Sequence, residues 1–288
     1  MSQGEGRREV GISRSGISED WFEGRSADVL GYSSLKDAID GADIVYNCVN
    51  FRYDQWFNYP PQATENVIKA CSEVGAQLVF IDNLYMYDPN HIGNLHEEVP
   101  VSPKTRKGRL RAEIASRYLK AHQGGECEIL ILRGSDFYGP GIRNAVMGIE
   151  VIENLQKGKK PYLLGNPDVL HSFTFIDDLA KAAVILGEKK NAYGEVWHAP
   201  TAPAVSQKEF LTLFANELGV EPRYQPAKGW MLWLLGLFNP VIREVREMTY
   251  QFESDFIIND DKIRTLGLTA TPPKEGIHQT IEWFKQQQ

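Results

Sequence analysis

Three long runs of apolar residues, each ending in polar and aromatic residues, constrain the fold of this chain more than any other feature. The runs are ADIVYNCVN, QLVFIDNLYMY and CEILILRGSDFYGPG, and helical segments separate them. Strands that read as continuous apolar runs are typical of parallel sheets covered by helices on both faces. Ligands of such sheets bind beyond the carboxyl ends of the strands. We therefore predict a doubly wound α/β fold with a site where these runs end.

Helix boundaries can be predicted between and after these runs. The segment SSLKDAIDG has Ser33 or Ser34 as its N-cap and ends at Gly41. PPQATENVIKACSEVGA ends at Gly75, and SPKTRKGRLRAEIASRYLKAH has Ser102 as its expected cap. These helices alternate with the apolar runs, which is the pattern of a parallel sheet with helical crossovers.

The pattern changes after about residue 187. GEVWHAP predicts a short strand, SQKEFLTLFANELG predicts a helix, and residues 228–251 are helical and rich in aromatic residues. We predict an α/β domain over residues 1–186. A smaller, mostly helical substrate-binding lobe over residues 187–288 is expected to interleave with it.

Charge and composition exclude several classes of function. The net charge of −7 and the pI of about 5.5 argue against a nucleic-acid-binding protein. No signal peptide is recognised, and the longest apolar run, residues 230–238, is shorter than the ~20 residues of a membrane span. The three cysteines, Cys48, Cys71 and Cys127, form no CxxC pair and indicate neither disulfides nor a metal site. We expect a cytoplasmic protein without a metal ion.

Six segments in the same order resemble the extended short-chain dehydrogenase/reductase family, also called the NAD-dependent epimerase/dehydratase family. They are GADIVYNCVN, ATENVIKAC, LVFIDNLYMYDP, LRGSDFYGPG, HSFTFIDDLAKA and GEVWHAP. The resemblance runs from about Arg8 to the C-terminus and implies a Rossmann-like fold with NAD or NADP as cofactor. It also implies an oxidoreductase or epimerase that acts on a carbonyl or hydroxyl carbon of a small or nucleotide-linked substrate. A homodimer is common in the family.

The resemblance also implies a first strand and a GxxGxxG turn, which this sequence lacks. Gly4 and Gly6 are present, but no strand precedes them. In the family, these glycines let the backbone approach the pyrophosphate at a helix start. We expect a truncated or wrongly assigned start rather than a natural variant, because a missing central strand leaves a sheet edge bare. Cofactor binding is expected to be impaired.

The catalytic tyrosine and lysine of the family align with Thr105 and Arg109. Threonine is a poor acid or base near neutral pH, whereas Arg109 stays protonated and can bind ribose oxygens. The family's catalytic serine or threonine aligns with Asn83, whose amide can bind a carbonyl oxygen. Tyr85 lies two residues further along and faces the same side of an extended strand end. We predict it as a relocated proton donor, with Lys107 or Arg109 lowering its pKa. The competing interpretation is that Tyr85 only packs there.

Cofactor contacts are predicted mainly after the strands. Arg14, beside Ser15, follows the family's second strand, where NADP-preferring members carry an arginine; a solvated turn arginine is the competing interpretation. Asp28 matches the family's aspartate beside the adenine, and Asn50 and Phe51 border the cofactor. The full predicted cofactor set is Arg14, Ser15, Asp28, Asn50, Phe51, Arg109, Arg133 and Ser135.

The missing glycine turn and the missing Tyr–Lys pair also fit a second class of function. This is a catalytically inactive nucleotide-sensing or scaffold protein of the same fold. Asp82 could be a site residue or a cap partner, and His171 is interpreted as structural or as part of the substrate wall. Trp230 and Trp233 are expected to contact substrate.

Overall fold

The computed structural model describes residues 8–143, 145–227, 231, 237, 243–244 and 246–288. Within them, the strands are β1 (Val10–Ser13), β2 (Glu23–Ser26), β3 (Ile44–Asn47), β4 (Gln77–Asp82), β5 (Ile129–Arg133), β6 (Asp136–Tyr138), β7 (Tyr162–Leu164), β8 (Leu170–His171), β9 (Phe173–Phe175), β10 (Val196–His198), β11 (Val205–Ser206) and β12 (Gln225–Ala227). The helices are α1 (Tyr32–Ile39), α2 (Pro60–Val74), α3 (Arg106–Gln123), α4 (Ile149–Gln156), α5 (Ile176–Gly187), α6 (Gln207–Leu218), α7 (Asp261–Arg264) and α8 (Pro273–Gln286). Short 3₁₀ turns cover Tyr53–Gln55, Pro89–His91, Lys190–Ala192 and Arg246–Phe252.

A parallel sheet with the strand order β10-β5-β4-β3 forms the centre of the fold. Helix α2 connects β3 to β4, and α3 connects β4 to β5, as crossovers between parallel neighbours require. Strands β4 and β5 pair from Leu78 and Ile129 to Asp82 and Arg133. The last pair places a carboxylate and a guanidinium side by side at the carboxyl edge of the sheet.

Alternate residues of the central strands face two different helical layers. Leu78 and Phe80 of β4 belong to the core formed with α1, α2 and α3. Val79, between them, packs in the core that contains Leu179 and Ala183 of α5. Burial of both faces explains why these strands read as continuous apolar runs, and it confirms the predicted α/β fold class.

A second parallel element, β1 with β2, stands apart from the central sheet. Val10 pairs with Glu23 and Ser13 with Ser26. Helix α1 follows β2, and its Leu35 and Ile39 share a core with α2 and the central sheet. The parallel strands are therefore divided into two sheets, one formed by β1 and β2 and the other by β10, β5, β4 and β3.

The smaller lobe has a core of its own, formed largely by α4, α6 and α8. Phe210 and Phe214 of α6 pack in it with Ile277 and Ile281 of α8. Strand β10, which follows residue 187, nevertheless pairs with β5 in the central sheet. The domain division at residue 186 stays a prediction. Gly4, Gly6, Trp230 and Trp233 lie outside the described residues.

The predicted helix ends agree with the structure at some boundaries and differ at others. Gly75 ends α2 with a φ of 74°, as predicted, and the Ser206 side chain caps α6, the helix predicted for SQKEFLTLFANELG. Ser102 does not cap α3, because the helix begins at residue 106 and Thr105 is its N-cap. Gly31 occupies the N-cap of α1, so neither Ser33 nor Ser34 caps it.

Candidate functional site

A cleft of about 800 Å³ lies at the carboxyl ends of β1, β2 and β3. Its walls include Arg14 after β1, Asp28 after β2, and Asn50 and Phe51 after β3. The structure thus brings four of the predicted cofactor residues to one cavity. The volume lies within the range of ~300–1,000 Å³ that is usual for small-molecule sites.

The turn after β1 forms one rim of this cleft. The Ser13 hydroxyl accepts a hydrogen bond from the Gly16 amide at 3.1 Å and lies 3.2 Å from the Ser15 hydroxyl. Arg14, between the two serines, is exposed. The Asp28 carboxylate accepts a hydrogen bond from the Leu30 amide at 2.9 Å. A cation and a carboxylate therefore stand on ordered turns at this rim.

Two predicted cofactor residues, Arg133 and Ser135, lie elsewhere in the fold and are buried. The Ser135 hydroxyl donates to the Ser172 carbonyl at 2.6 Å, and its amide donates to the Thr174 hydroxyl at 3.0 Å. Arg133 is committed to Asp82, with Nε 3.4 Å from the carboxylate. Neither residue is part of the cleft wall. Their contacts in the structure hold strand ends together.

Asp82 joins the carboxyl ends of β4 and β5 to helix α3. Its carboxylate accepts hydrogen bonds from Arg111 Nε at 2.8 Å and from Arg111 Nη2, as well as the Arg133 contact. All three side chains are buried. Buried charges are stable only when paired and hydrogen-bonded, and this cluster satisfies that requirement. Asp82 is thus a partner for two arginines at the strand ends, and the expectation that it caps a helix is not met.

Tyr85 is half-buried and lies beside a second tyrosine. Its hydroxyl is 2.7 Å from the Tyr53 hydroxyl, and its ring packs 5.9 Å from the Trp56 ring. Burial raises the pKa of Tyr85 well above its usual value, and nearby Tyr53 and Asp136 raise it further. The expected lowering by Lys107 or Arg109 is therefore wrong. A phenol with a raised pKa remains protonated at neutral pH, so it can donate a hydrogen bond but does not act as a base.

Asn83 supports the chain turn that presents Tyr85. Its side-chain carbonyl accepts a hydrogen bond from the Tyr85 amide at 3.1 Å. The Asn83 amide donates to the Asp82 carboxylate at 2.8 Å. Asn83 thus links the charged cluster to the tyrosine pair. Its carbonyl oxygen is engaged in the turn, so a contact with substrate would come from its side-chain NH₂.

Thr105 and Arg109 do not join this group. The Thr105 hydroxyl accepts a hydrogen bond from the Gly108 amide at 3.0 Å and so caps α3. Arg109 is exposed and donates to the Lys104 carbonyl at 3.0 Å. The pair that turns inward with the same spacing of four is Lys107 and Arg111, both buried.

The helical pattern of α3 contains a signal for this inward pair. Its buried residues are Lys107, Gly108, Leu110, Arg111, Ile114, Ala115, Tyr118 and Ala121. Most of them are three or four positions apart, as on one helix face. A Cβ added at Gly108 would lie 2.4 Å from the Tyr85 carbonyl oxygen. The glycine therefore lets α3 approach the strand end that carries the tyrosine.

Lys107 is held by two glutamates of the C-terminal part of the chain. Its Nζ contacts the Glu244 carboxylate and lies 3.3 Å from that of Glu247. Nζ also lies 5.6 Å from the ring centroids of both Tyr53 and Phe57. Glu247 accepts hydrogen bonds from the first amides of α3, where a negative charge is favoured. A buried ammonium is thus neutralised beside the tyrosine pair.

A smaller cavity of about 20 Å³ connects the charged helix to the cleft. It contacts Arg111, Phe80 and Tyr118 and shares Asn50 and Phe51 with the large cleft. Arg111 is therefore the α3 cation nearest to the predicted cofactor residues. The family resemblance predicts Arg109, not Arg111, as the cation beside the cofactor ribose.

An aspartate–histidine pair borders the same region. The sequence did not predict that these two residues contact each other. His171 Nε2 lies 2.6 Å from the Asp136 carboxylate, and the imidazole stacks between Phe252 and Phe256. The charge of Asp136 contributes to the raised pKa of Tyr53 and of Tyr85. The two residues are 35 positions apart, and no local pattern joins them. His171 is hydrogen-bonded and fully buried, in agreement with its structural interpretation.

This arrangement of strands, cleft and inward-facing α3 cations agrees with the family resemblance, and a comparison of the chain with family models decides the matter. The model of the NAD dependent epimerase/dehydratase family matches residues 3–198. The chain belongs to this family.

Curated relatives match this chain at low sequence identity. A 3beta-hydroxysteroid-dehydrogenase/decarboxylase isoform 1 of Arabidopsis thaliana is 26% identical over 323 residues, covering 96% of this chain and 70% of the relative. A sterol-4-alpha-carboxylate 3-dehydrogenase, decarboxylating, of Bos taurus is 23% identical, covering 68% of this chain and 59% of the relative. The chain spans 54% of the second Arabidopsis thaliana isoform.

Solved structures share the fold at low sequence identity. MoeE5 in complex with UDP-glucose and NAD superposes with a TM-score of 0.76 at 19% identity, covering 98% of this chain and 92% of MoeE5. A dTDP-glucose 4,6-dehydratase of Bacillus anthracis in complex with NAD gives 0.77 at 14% identity, covering 98% and 89%. Among the described residues, no helix has the length and apolar character that crossing a membrane requires.

Proposed function

We propose that the chain is an NAD(P)-dependent oxidoreductase or epimerase-like enzyme that acts on a carbon bearing a hydroxyl or carbonyl group. The observation that carries the proposal is the half-buried Tyr85 hydroxyl, which stays protonated and lies 2.7 Å from the Tyr53 hydroxyl. A phenol of this kind can donate a hydrogen bond to a substrate oxygen. The family membership supplies the class of cofactor.

The cleft fits part of such a cofactor. Arg14 on the rim offers a cation for a ribose phosphate, and Asp28 offers a carboxylate to the adenine side. The weak preference for NADP rests on Arg14 alone. The family's glycine-rich phosphate turn is not found in the sequence, so we propose weaker binding than a complete cradle gives.

Each residue of the site has a defined role in this proposal. A bound nicotinamide supplies or accepts the hydride. In the direction of carbonyl reduction, the Tyr85 hydroxyl would hydrogen-bond the substrate oxygen and give it a proton while the carbonyl carbon takes the hydride, and Tyr53 would orient the Tyr85 hydroxyl. Asn83 fixes the turn that holds Tyr85. Arg111 takes the ribose-binding role that was first assigned to Arg109, because it is the cation that borders the cavity.

The relatives and the similar structures support only a broad class of substrate. The similar structures were solved with nucleotide-linked sugars, and the curated relatives carry names of steroid and sterol dehydrogenases. We propose a small or nucleotide-linked substrate with a carbonyl or hydroxyl carbon. A cytoplasmic location and a homodimer belong to the same proposal.

Calorimetric titration with NADH and with NADPH tests the proposal first. Heat of binding with a single-site isotherm for either cofactor is the expected result, and binding of neither would end the proposal. Where a substrate is turned over, Tyr85→Phe should remove the activity. Tyr193→Phe is the matched control, since Tyr193 is buried and donates its hydroxyl to a carbonyl, that of Gly187, outside the site.

A nucleotide-sensing protein without turnover is the second candidate. It is favoured by the neutralised cations, since Lys107 is paired with Glu244 and Glu247 and Arg111 with Asp82. In that case cofactor binds, but Tyr85→Phe changes only stability. Single-turnover reduction measured with bound NADPH and a panel of aldehydes and ketones separates the two candidates.

A further inference from the structure

Two cysteines that are far apart in the chain lie together in the interior of the fold. Cys71 is in the last turn of α2, and Cys127 lies shortly before β5. Both belong to one apolar core, with 0% and 8% of their surface exposed, and both thiols are free. The sequence does not indicate this pair, because no CxxC spacing joins the two residues.

Main-chain hydrogen bonds fix the two cysteines beside each other. The Ala76 amide donates to the Cys71 carbonyl at 3.0 Å, and the Ala76 carbonyl accepts a hydrogen bond from Cys127 Sγ at 3.2 Å. One residue thus connects the end of α2 to the Cys127 thiol. The Leu78 amide of β4 donates to the Glu128 carbonyl at 2.8 Å. The pairing of β4 with β5 therefore places Cys127 against the turn that ends α2.

The two thiols also hydrogen-bond each other, with Cys71 as donor and Cys127 as acceptor. This hydrogen bond lowers the pKa of the Cys127 thiol, whereas burial and the carboxylates of Glu128 and Glu126 act in the opposite direction. The same hydrogen bond, together with burial, raises the pKa of the Cys71 thiol. Because the thiolate is the nucleophile in thiol chemistry, Cys127 is the attacking member of the pair.

Cys127 is also the member of the pair that lies nearer to solvent. The residues just before it, Gly124, Gly125 and Glu126, are exposed, whereas Cys71 has no exposed surface. A small oxidant that enters at this turn therefore contacts Cys127 first. A reactive cysteine beside a second cysteine that can capture its first oxidation product is the arrangement of reversible redox sites.

We propose that Cys71 and Cys127 form an oxidative modification site, which a small peroxide converts into a reversible disulfide. The Cys127 thiolate attacks one peroxide oxygen and breaks the O–O bond. Cys127 becomes a sulfenic acid, and the leaving oxygen takes up the thiol proton and departs as water or alcohol. The Cys71 sulfur then attacks the Cys127 sulfur, and its proton leaves with the sulfenic oxygen as water. The peroxide gains two electrons, and the two thiols lose two.

The proposed site is separate from the cleft. Gln77 and Ile129 are the first residues of β4 and β5, so the thiol pair lies at the amino ends of these strands. The cleft lies at the carboxyl ends of β1, β2 and β3. The inference is therefore independent of the proposed function. Cys48, which follows β3, is exposed and is a competing thiol in any oxidation experiment.

Peroxide treatment of the folded Cys48→Ser protein tests the proposal. The protein is treated with hydrogen peroxide, unfolded in urea, alkylated with N-ethylmaleimide and analysed by mass spectrometry. We expect a mass lower by two hydrogen atoms, a complete loss of alkylation, and one cross-linked peptide that contains Cys71 and Cys127. Dithiothreitol should restore alkylation of both cysteines, because a disulfide is reversible whereas sulfinic and sulfonic acids are not.

Single replacements in the Cys48→Ser background separate the two steps. With Cys71→Ala, oxidation should stop at a sulfenic acid on Cys127, which dimedone labels. With Cys127→Ala, Cys71 should react at least tenfold more slowly than Cys127 does in the first variant, because its thiol is fully buried. Serine replaces alanine in either variant that does not fold, as judged by circular dichroism.

Three results would overturn the proposal. The first is two alkylatable thiols in Cys48→Ser after a peroxide treatment that oxidises the exposed Cys48 of the unmodified protein. The second is a disulfide between two molecules of Cys48→Ser, seen as a dimer on a non-reducing gel, in place of the internal cross-link. The third is faster oxidation of Cys71 than of Cys127 in the two single-cysteine proteins.

Discussion

The hydroxyl groups of Tyr53 and Tyr85 lie 2.7 Å apart, and burial raises the pKa of both phenols. Each is therefore protonated at neutral pH, and one donates to the other. The pair joins the turn after β3 to the turn after β4, which are neighbouring strand ends of the central sheet. A hydrogen bond between two tyrosines thus lies at the edge where ligands of such sheets bind.

Removing either hydroxyl should destabilise the fold, because the other half-buried hydroxyl loses its hydrogen-bond partner. We expect Tyr53→Phe and Tyr85→Phe each to lower the free energy of unfolding by about 1–2 kcal/mol. The double variant should cost about as much as one single variant, which corresponds to an interaction energy of about 1–2 kcal/mol. Urea denaturation of all four proteins measures this cycle. Additive losses would show that the two hydroxyls do not interact.

The buried charge cluster around Asp82 should be far more sensitive than a surface pair. Asp82→Asn leaves two buried guanidiniums, of Arg111 and Arg133, without their counter-ion. We expect a loss of about 3–5 kcal/mol in the free energy of unfolding. Glu65→Gln is the control, since Glu65 pairs with the partly exposed Arg117 and is worth less than about 1 kcal/mol. Losses of similar size for both variants, measured by urea denaturation, would contradict this account.

Lys107 is expected to stabilise the contact between α3 and residues 244–247. Lys107→Met leaves Glu244 and Glu247 close together without a cation, and we expect a loss of about 3 kcal/mol. Adding Glu247→Gln should recover part of the loss, because one of the two like charges is removed while the amide oxygen can still cap α3. Thermal unfolding of the single and double variants tests this order. Lys36→Met, at a half-exposed pair with Glu73, should shift the melting temperature little.

Sequence patterns predicted the layers of the fold because burial acts on every residue of a strand. The apolar runs in β4 and β5 follow from helices on both faces, and Gly75 and Ser206 mark helix ends by local conformation alone. Position in the site was harder to predict. Thr105 and Arg109 match the family spacing, but Lys107 and Arg111 share the buried helix face. The helical periodicity of α3 predicts that Lys107 and Arg111 face inward, whereas the family spacing predicts Thr105 and Arg109.

Contacts between distant segments could not be predicted from the sequence. Tyr53 and Tyr85 are 32 positions apart, and His171 pairs with Asp136 across 35 positions. Their partners depend on which strand ends lie side by side, and this depends on the sheet order. Local secondary-structure propensities carry no information about the order of strands in a sheet. The raised pKa of Tyr85 has the same origin, since burial and not a neighbouring cation determines it.

The proposed preference for NADPH depends on Arg14 at the rim of the cleft. We expect Arg14→Ala to weaken NADPH binding about tenfold, the equivalent of one charge-assisted hydrogen bond, and to leave NADH binding unchanged. Calorimetry with both cofactors measures the two affinities. Arg52→Ala is the control, since Arg52 lines the same cleft but pairs with Asp54. Equal losses for NADH and NADPH in Arg14→Ala would remove the basis for the preference.

His198 should make the fold less stable in mild acid. It is fully buried, its Nε2 lies 2.7 Å from the Tyr87 hydroxyl, and its Nδ1 lies 3.0 Å from the Asn259 carbonyl. Burial lowers its pKa from 6.5 to about 3. In the unfolded chain the His198 imidazole therefore takes up a proton near pH 6.5, whereas in the folded chain it stays neutral until the pH approaches 3. The stability that His198 contributes is complete above that pH and is lost as the pH falls toward 3.

The expected slope from this one group approaches 1.4 kcal/mol per pH unit below its unfolded pKa. His198→Gln should lower stability at pH 7.5 but flatten its decline between pH 6.5 and 4.5, because the titrating group is gone. Urea denaturation at half-unit pH steps measures both proteins. His278→Gln is the contrasting control. Glu217 raises the pKa of the exposed His278, so the stability that this residue contributes is complete below pH 6.5 and is lost as the pH rises above that value. His278→Gln should therefore leave the slope between pH 6.5 and 4.5 nearly unchanged. A His198→Gln curve parallel to that of the unmodified protein would mean that His198 is protonated in the folded chain.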